Sequence, residues 1–143
     1  MATPKTFDLQ RFVDAQDPVY EHVLAELEAG AKRSHWMWFV FPQMKGLGFS
    51  SMAKRFAISS QDEANAYLDH PLLGERLIEC TALMLQHMGK TAYEILGSPD
   101  DMKFRSCMTL FAAVSERGSP FERALDSFYH GERDRKTIAL LRP

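Results

Sequence analysis

Lys32-Arg33-Ser34-His35-Trp36-Met37-Trp38-Phe39-Val40-Phe41-Pro42-Gln43 gathers, in one run, side chains that could hold a flat, charged molecule. It holds both tryptophans of the 143-residue chain. Two indoles can sandwich a planar group, and an indole face is also the best aromatic surface for a cation. Arg33 can grip a phosphate or carboxylate in a forked geometry. His35 can donate a hydrogen bond or move a proton, and Gln43 offers both a donor and an acceptor. Lys45-Gly46-Leu47-Gly48 follows as a turn in which small residues let backbone N–H groups approach an anion. Together these residues describe a pocket for a small nucleotide-like or other flat anionic ligand. The competing role is structural, with the rings forming the centre of the core and the polar groups capping helix ends. The sequence leaves both open.

His70-Pro71, with Gly74 and Arg76 after it, is the second cluster. His70 is placed to cap a helix that Pro71 opens, with Arg76 as a surface charge. Facing the aromatic run, His70 would instead be the acid/base partner of His35 in a transferase or hydrolase reaction. A third use of the aromatic run is as an exposed patch for a protein partner or a second copy, with the chain a monomer or weak homodimer. Lys103, Arg105 and Ser106 stand near a helix start, but Asp100 and Asp101 there would repel an anion, so they read as helix-surface charge. Asp134, Arg135, Lys136 and Thr137 read as cap and surface.

Several motifs fail on inspection. Gly89-Lys90-Thr91 imitates the end of a phosphate loop, but Met84 stands where its first glycine belongs and a helical pattern precedes it. The five histidines form no HxxxH or HExxH pattern, so no metal site is expected, and nothing calls for a cofactor. Ser50 and Ser51 do not make a nucleophile elbow. Cys80 and Cys107 belong to no CxxC and sit at apolar helical positions, as small buried hydrophobes in a reducing compartment would.

The elements that position these groups are helical throughout. Phe7, Leu9, Phe12 and Val13 begin an amphipathic pattern, and Asp17-Pro18 reads as a cap and first position of the next helix. Tyr20, Val23, Leu24 and Leu27 recur at helical spacing up to Gly30. Ser51 to Ile58 reads as a short helix, Ser60 and Glu63 as a capping box. Leu73, Leu77, Cys80, Met84 and Met88 form the stripe of a long helix ended by Gly89. Thr91 with Glu94 is a second capping box. Ser98-Pro99-Asp100-Asp101 and Gly118-Ser119-Pro120 are further helix starts. A last helix spans Asp134 to Leu141. Only Met37 to Phe41 hints at a strand, too isolated for a sheet. The methionines at 84, 88, 102 and 108 read as core. The sum is about seven to nine helices in one all-α domain over residues 1–143, with 1–6 a loose tail, in irregular orthogonal packing and not as a regular four-helix bundle.

Composition agrees with one globular domain: 45% apolar, 25% charged. The net charge of −2 argues against a dedicated nucleic-acid binder. No long apolar run suggests a membrane span, and Met1 to Lys5 lack the apolar core of a secretory signal, so a cytoplasmic location is expected.

Arg11-Phe12-Val13-Asp14-Ala15-Gln16, the run from Lys32 to Phe39 leading into Phe41-Pro42-Gln43, and Gly46-Leu47-Gly48 resemble a bacterial family of helical proteins. This is domain-of-unknown-function family 1810, whose members are often mislabelled calpastatin. Tyr67-Leu68-Asp69-His70-Pro71 with Leu73-Gly74, and Asp101-Met102-Lys103 with Ser106 and Thr109-Leu110-Phe111, extend the resemblance from about residue 8 to 141. The resemblance implies an all-α fold and no particular activity, substrate or cofactor. The calpastatin label carries no weight, because calpastatin's inhibitory regions are polar and disordered.

Overall fold

Ten α-helices follow one another, with no strands, across residues 7–142, the part of the chain that the computed structural model describes. They are α1 (Gln10–Gln16), α2 (Tyr20–Ala29), α3 (Met37–Val40), α4 (Ser51–Arg55), α5 (Gln61–Asp69), α6 (Leu73–Leu85), α7 (Ala92–Leu96), α8 (Asp100–Ala113), α9 (Pro120–Tyr129) and α10 (Arg135–Leu141). The tail expected at 1–6 lies outside the described residues.

Local chemistry explains most of the starts and stops. Ser50, Ser60, Ser119 and Asp134 each accept a hydrogen bond from a first-turn N–H of α4, α5, α9 and α10. Thr91 and Glu94 close a full capping box on α7. At Ser60 the box is offset, because Glu63 turns back to the N–H of Ser59 instead. Gly30 ends α2 at a φ of +70°, a left-handed position that suits glycine.

The α8 helix is the spine. Phe104 and every residue from Ser106 to Ala112 are buried, and α7, α9 and α10 pack on it. A second group forms around α6, which packs on α2, α5 and α9, while α1 packs on α3. Aromatic rings join the two groups: Phe111 meets both Tyr67 and Phe121, and Phe41 stands edge-on to Phe104 at 4.8 Å. Such contacts add about 0.5–1.5 kcal/mol each beyond area burial.

Two devices fix the segment after α3. Arg11 reaches across from α1, donating to the carbonyls of Arg55 and Ala57 and pairing with the buried carboxylate of Glu63 at 3.0 Å. A single parallel bridge, Met44 with Ile58, ties the glycine-rich turn to the chain beyond α4 through Lys45 N–H to Ile58 O and Ile58 N–H to Gln43 O.

The structure corrects several sequence expectations. Met37 to Phe41 is not a strand: Met37–Val40 is one turn of helix, too short to show a period. Asp17 does not cap α2, whose N-cap is Val19; its carboxylate pairs with Arg76 at 2.9 Å. Pro99, not Ser98, stands at the N-cap of α8, without a side-chain cap. The α6 helix stops at Leu85, before Gly89, which leaves Met88 61% exposed. Met102 is likewise on the surface, so only Met84 and Met108 of the four are core.

Candidate functional site

The two indoles part company. Trp36 is sealed at 1% exposure. Its N–H donates to Glu26, at the end of α2, at 3.1 Å. The same carboxylate accepts from the N–H groups of Arg33 and Ser34, at 2.6 and 2.9 Å, and from the Ser34 hydroxyl. Burial pushes the Glu26 pKa up, but the hydrogen bonds from the Ser34 hydroxyl, the two N–H groups and the indole outweigh it and hold it down at about 2. Trp36 is therefore a core anchor, and the expected sandwich of two indoles does not form.

Trp38 is only half-buried, since residues two apart on a helical turn face different ways. The Lys103 ammonium lies over its ring, 5.3 Å from the centroid. The Lys32 ammonium stands over Trp36 at 5.1 Å. One carboxylate serves both cations: Asp100, in the first turn of α8, is 2.8 Å from Lys32 and 3.5 Å from Lys103. Beside Trp38 is a slot of about 10 Å³, walled by Phe41, Phe56, Gln43, Ala53 and Lys103 among others.

Ala53 also belongs to the neighbouring groove, a hollow of about 420 Å³. Its walls are Met44, Lys45, Gly46, Gly48, Phe49, Ala53, Lys54 and Ala57. Phe49 is 80% exposed. Gly48 has a steric reason to be glycine: a Cβ there would lie 2.5 Å from the Ala53 Cβ and 3.4 Å from the Gln43 amide nitrogen. The glycine turn thus lets α4 approach and keeps the groove open.

Of the residues singled out in the sequence, Gln43, Trp38, Lys45, Gly46 and Gly48 come together at this slot and groove. The others do not line it. Arg33 and His35 have exposed side chains, and Arg33 contributes its backbone N–H to Glu26. His70 caps α6, its Nδ1 accepting from the N–H groups of Leu72 and Leu73 at 3.1 and 3.2 Å. Arg76 lies over the Tyr20 ring at 4.5 Å, pairs with Asp17, and donates to Gln16 in a separate hollow with Glu75 and Glu79. Burial pushes the Cys80 thiol up to about 12 and the Cys107 thiol well above its usual value, so neither is a nucleophile at neutral pH. Among the described residues no cluster of His, Cys, Asp or Glu could hold a metal ion.

The sequence reading omits Phe49, Ala53 and Lys54, and it places Lys103 among helix-surface charges. A signal for the first three existed in the charge pattern. Residues 29–61 contain Lys32, Arg33, Lys45, Lys54 and Arg55 and no Asp or Glu, within a chain of net charge −2. Lys103 reads as surface charge from its own helix alone, because only the packing of α8 brings it to Trp38.

The family model described as "Protein of unknown function (DUF1810)" matches residues 6–141. The chain belongs to the DUF1810 family. The crystal structure of the conserved hypothetical protein Rv1873 from Mycobacterium tuberculosis, at 1.38 Å, is similar to it, with 56% identity and a TM-score of 0.92. That likeness covers 94% of this chain and 96% of the mycobacterial one. No curated protein matches. This DUF1810 chain therefore shares an all-helical fold with its solved relative, and its groove has to be read from its own residues. Among those described, no helix is long and apolar enough to cross a membrane.

Proposed function

We propose that this DUF1810 protein binds a small molecule with a flat apolar body and an anionic group, of nucleotide-like character, in the groove of Lys45, Phe49 and Lys54. One observation carries the reading. The groove is of ligand size, about 420 Å³, its charged residues are both lysines, and a phenylalanine stands 80% exposed at its edge. A phenyl ring left in water at a hollow suits stacking by a planar group. Two ammonium groups without a carboxylate in the lining favour an anion. Trp38 takes over, at the adjoining slot, the role the sequence shared between two indoles.

Binding is favoured over catalysis here, because the groove's lining holds no histidine, cysteine or carboxylate. The proposed setting is the bacterial cytoplasm, supported by two cysteines that stay free. Calorimetric titration with adenosine monophosphate, uridine monophosphate and ribose 5-phosphate tests the reading. Binding of the ring-bearing phosphates that weakens in Phe49→Ser and in Lys45→Gln/Lys54→Gln supports it. Silence across the panel, or binding unaffected by these changes, overturns it.

A further inference from the structure

The slot under Trp38 is the size of a single oxygen atom or water molecule, about 10 Å³. Its lining is mostly apolar, and its polar side chains are those of Lys103, Gln43 and Trp38. Lys103 can supply an ammonium, Gln43 an amide NH₂ and Trp38 an indole N–H, and no carboxylate residue lines the slot. Neither the Trp38 N–H nor the Gln43 side chain has a hydrogen-bond partner among the described residues. Lys103 is held on Asp100 at 3.5 Å, more loosely than Lys32 at 2.8 Å. Were Lys103 to turn away, Asp100 would keep both Lys32 and the favourable N-terminal end of α8. The slot adjoins the groove: Ala53 lines both, and the Gln43 amide nitrogen lies 3.4 Å from where a Cβ on Gly48 would stand.

We propose that this slot receives one anionic oxygen of the groove's ligand, from a phosphate or a carboxylate, and that Lys103 is the residue that selects for it. The inference rests on the binding reading above and adds the position of the anionic head. The ligand's flat body lies along Phe49. Its head points past Gly48 and Ala53 to the three donors. Lys103 turns from the Trp38 face to meet it, while Lys32 continues to balance Asp100. A ligand without an anionic oxygen gains nothing from these donors and binds more weakly, since hydrogen bonds from a charged donor are the stronger ones.

Trp38 itself is the reporter. Its emission is obtained as the difference between the wild-type protein and Trp38→Phe. Inorganic phosphate and acetate are titrated separately at constant ionic strength, and the stronger responder identifies the head group. The expected result is a saturable change in Trp38 emission whose midpoint moves at least about tenfold in Lys103→Met. Lys103→Arg, which keeps the cation, retains most of the response, and circular dichroism of each variant confirms the fold. No response to either anion, or an equal response in Lys103→Met, overturns the proposal and leaves the slot a water site. Adenosine monophosphate separates the two readings. Affinity that depends on Phe49 but not on Lys103 refutes the slot and spares the groove. A Lys103-dependent phosphate response, with adenosine monophosphate no tighter than phosphate and indifferent to Phe49→Ser, refutes the groove and spares the slot.

Discussion

Replacing Glu26 by glutamine tests whether the aromatic run is held by one carboxylate. In the native protein Glu26 gathers the N–H groups of Arg33 and Ser34, the Ser34 hydroxyl and the Trp36 indole. Holding this carboxyl at about 2 instead of 4.5 corresponds to roughly 3 kcal/mol at 1.36 kcal/mol per pH unit. The side chain is partly open to water, and screening reduces the contribution to about 2 kcal/mol. Glutamine keeps one acceptor but loses the charge that these donors favour. The expected cost at pH 7 is therefore about 2 kcal/mol, or a fall in Tm of roughly 4–8 °C for a chain of this size. The sign with pH follows from the lowered pKa. A carboxyl whose folded pKa lies below its unfolded value stabilises fully above about 4.5, and the contribution disappears as pH falls through about 2. Urea unfolding of both proteins, followed by tryptophan emission from pH 7 down to about 2, should show a gap that is constant near neutrality and closes on acidification. A gap of the same size at the acid end, or none at pH 7, refutes the assignment of Glu26 as the ionic clasp of the loop.

Gly74→Ala should be more damaging than Gly48→Ala, because the new Cβ would lie 2.1 Å from the Leu68 carbonyl oxygen; thermal unfolding should show a loss of about 3 kcal/mol. Gly48→Ala meets the methyl of Ala53 instead, costs about 1–2 kcal/mol, and narrows the groove, so ligand affinity should fall with it. Gln16→Leu strands the Phe39 carbonyl, which now receives the Gln16 amide at 2.6 Å, and removes an acceptor from Arg76; urea unfolding should register about 2–3 kcal/mol. His70→Ala removes a cap from α6 and should lower stability by about 1 kcal/mol without changing affinity for any ring-bearing phosphate. A loss of affinity there with unchanged stability would return His70 to the site.

The helices were legible where a local rule sets them. Ser119-Pro120, Thr91 with Glu94, and Asp134 act on neighbours three residues on, so the sequence contains both halves of each contact. The Asp17-Pro18 reading failed because Asp17 still belongs to α1, as a helical C-cap whose N–H donates to the Val13 carbonyl, and its exposed carboxylate pairs with Arg76 from the distant α6. The same limit applies to α3, whose single turn is set by Gln16 gripping the Phe39 carbonyl from α1. At the site, the composition of the aromatic run was informative but the division of labour within it was not. Which indole is core depends on Glu26 and Lys32 closing over Trp36, and which is open depends on Lys103 arriving from α8.

Charge accounting explains why the groove falls where it does. The stretch 29–61 supplies five cations and no acid, so every carboxylate serving it comes from another element. Glu26 from α2 takes the backbone donors at Arg33 and Ser34, Asp100 from α8 takes Lys32, and Glu63 from α5 takes Arg11, which in turn grips the carbonyls at 55 and 57. Arg55 rests on the Phe56 ring, 5.2 Å from its centroid. The exposed Arg33 guanidinium, Lys45 and Lys54 receive no such partner among the described residues, and of these three Lys45 and Lys54 line the hollow beside Phe49. A fold that imports carboxylates to one half of a basic segment and leaves the other half bare concentrates its unbalanced positive potential at a concave, aromatic-edged surface, where low-dielectric walls strengthen the pull on an anion.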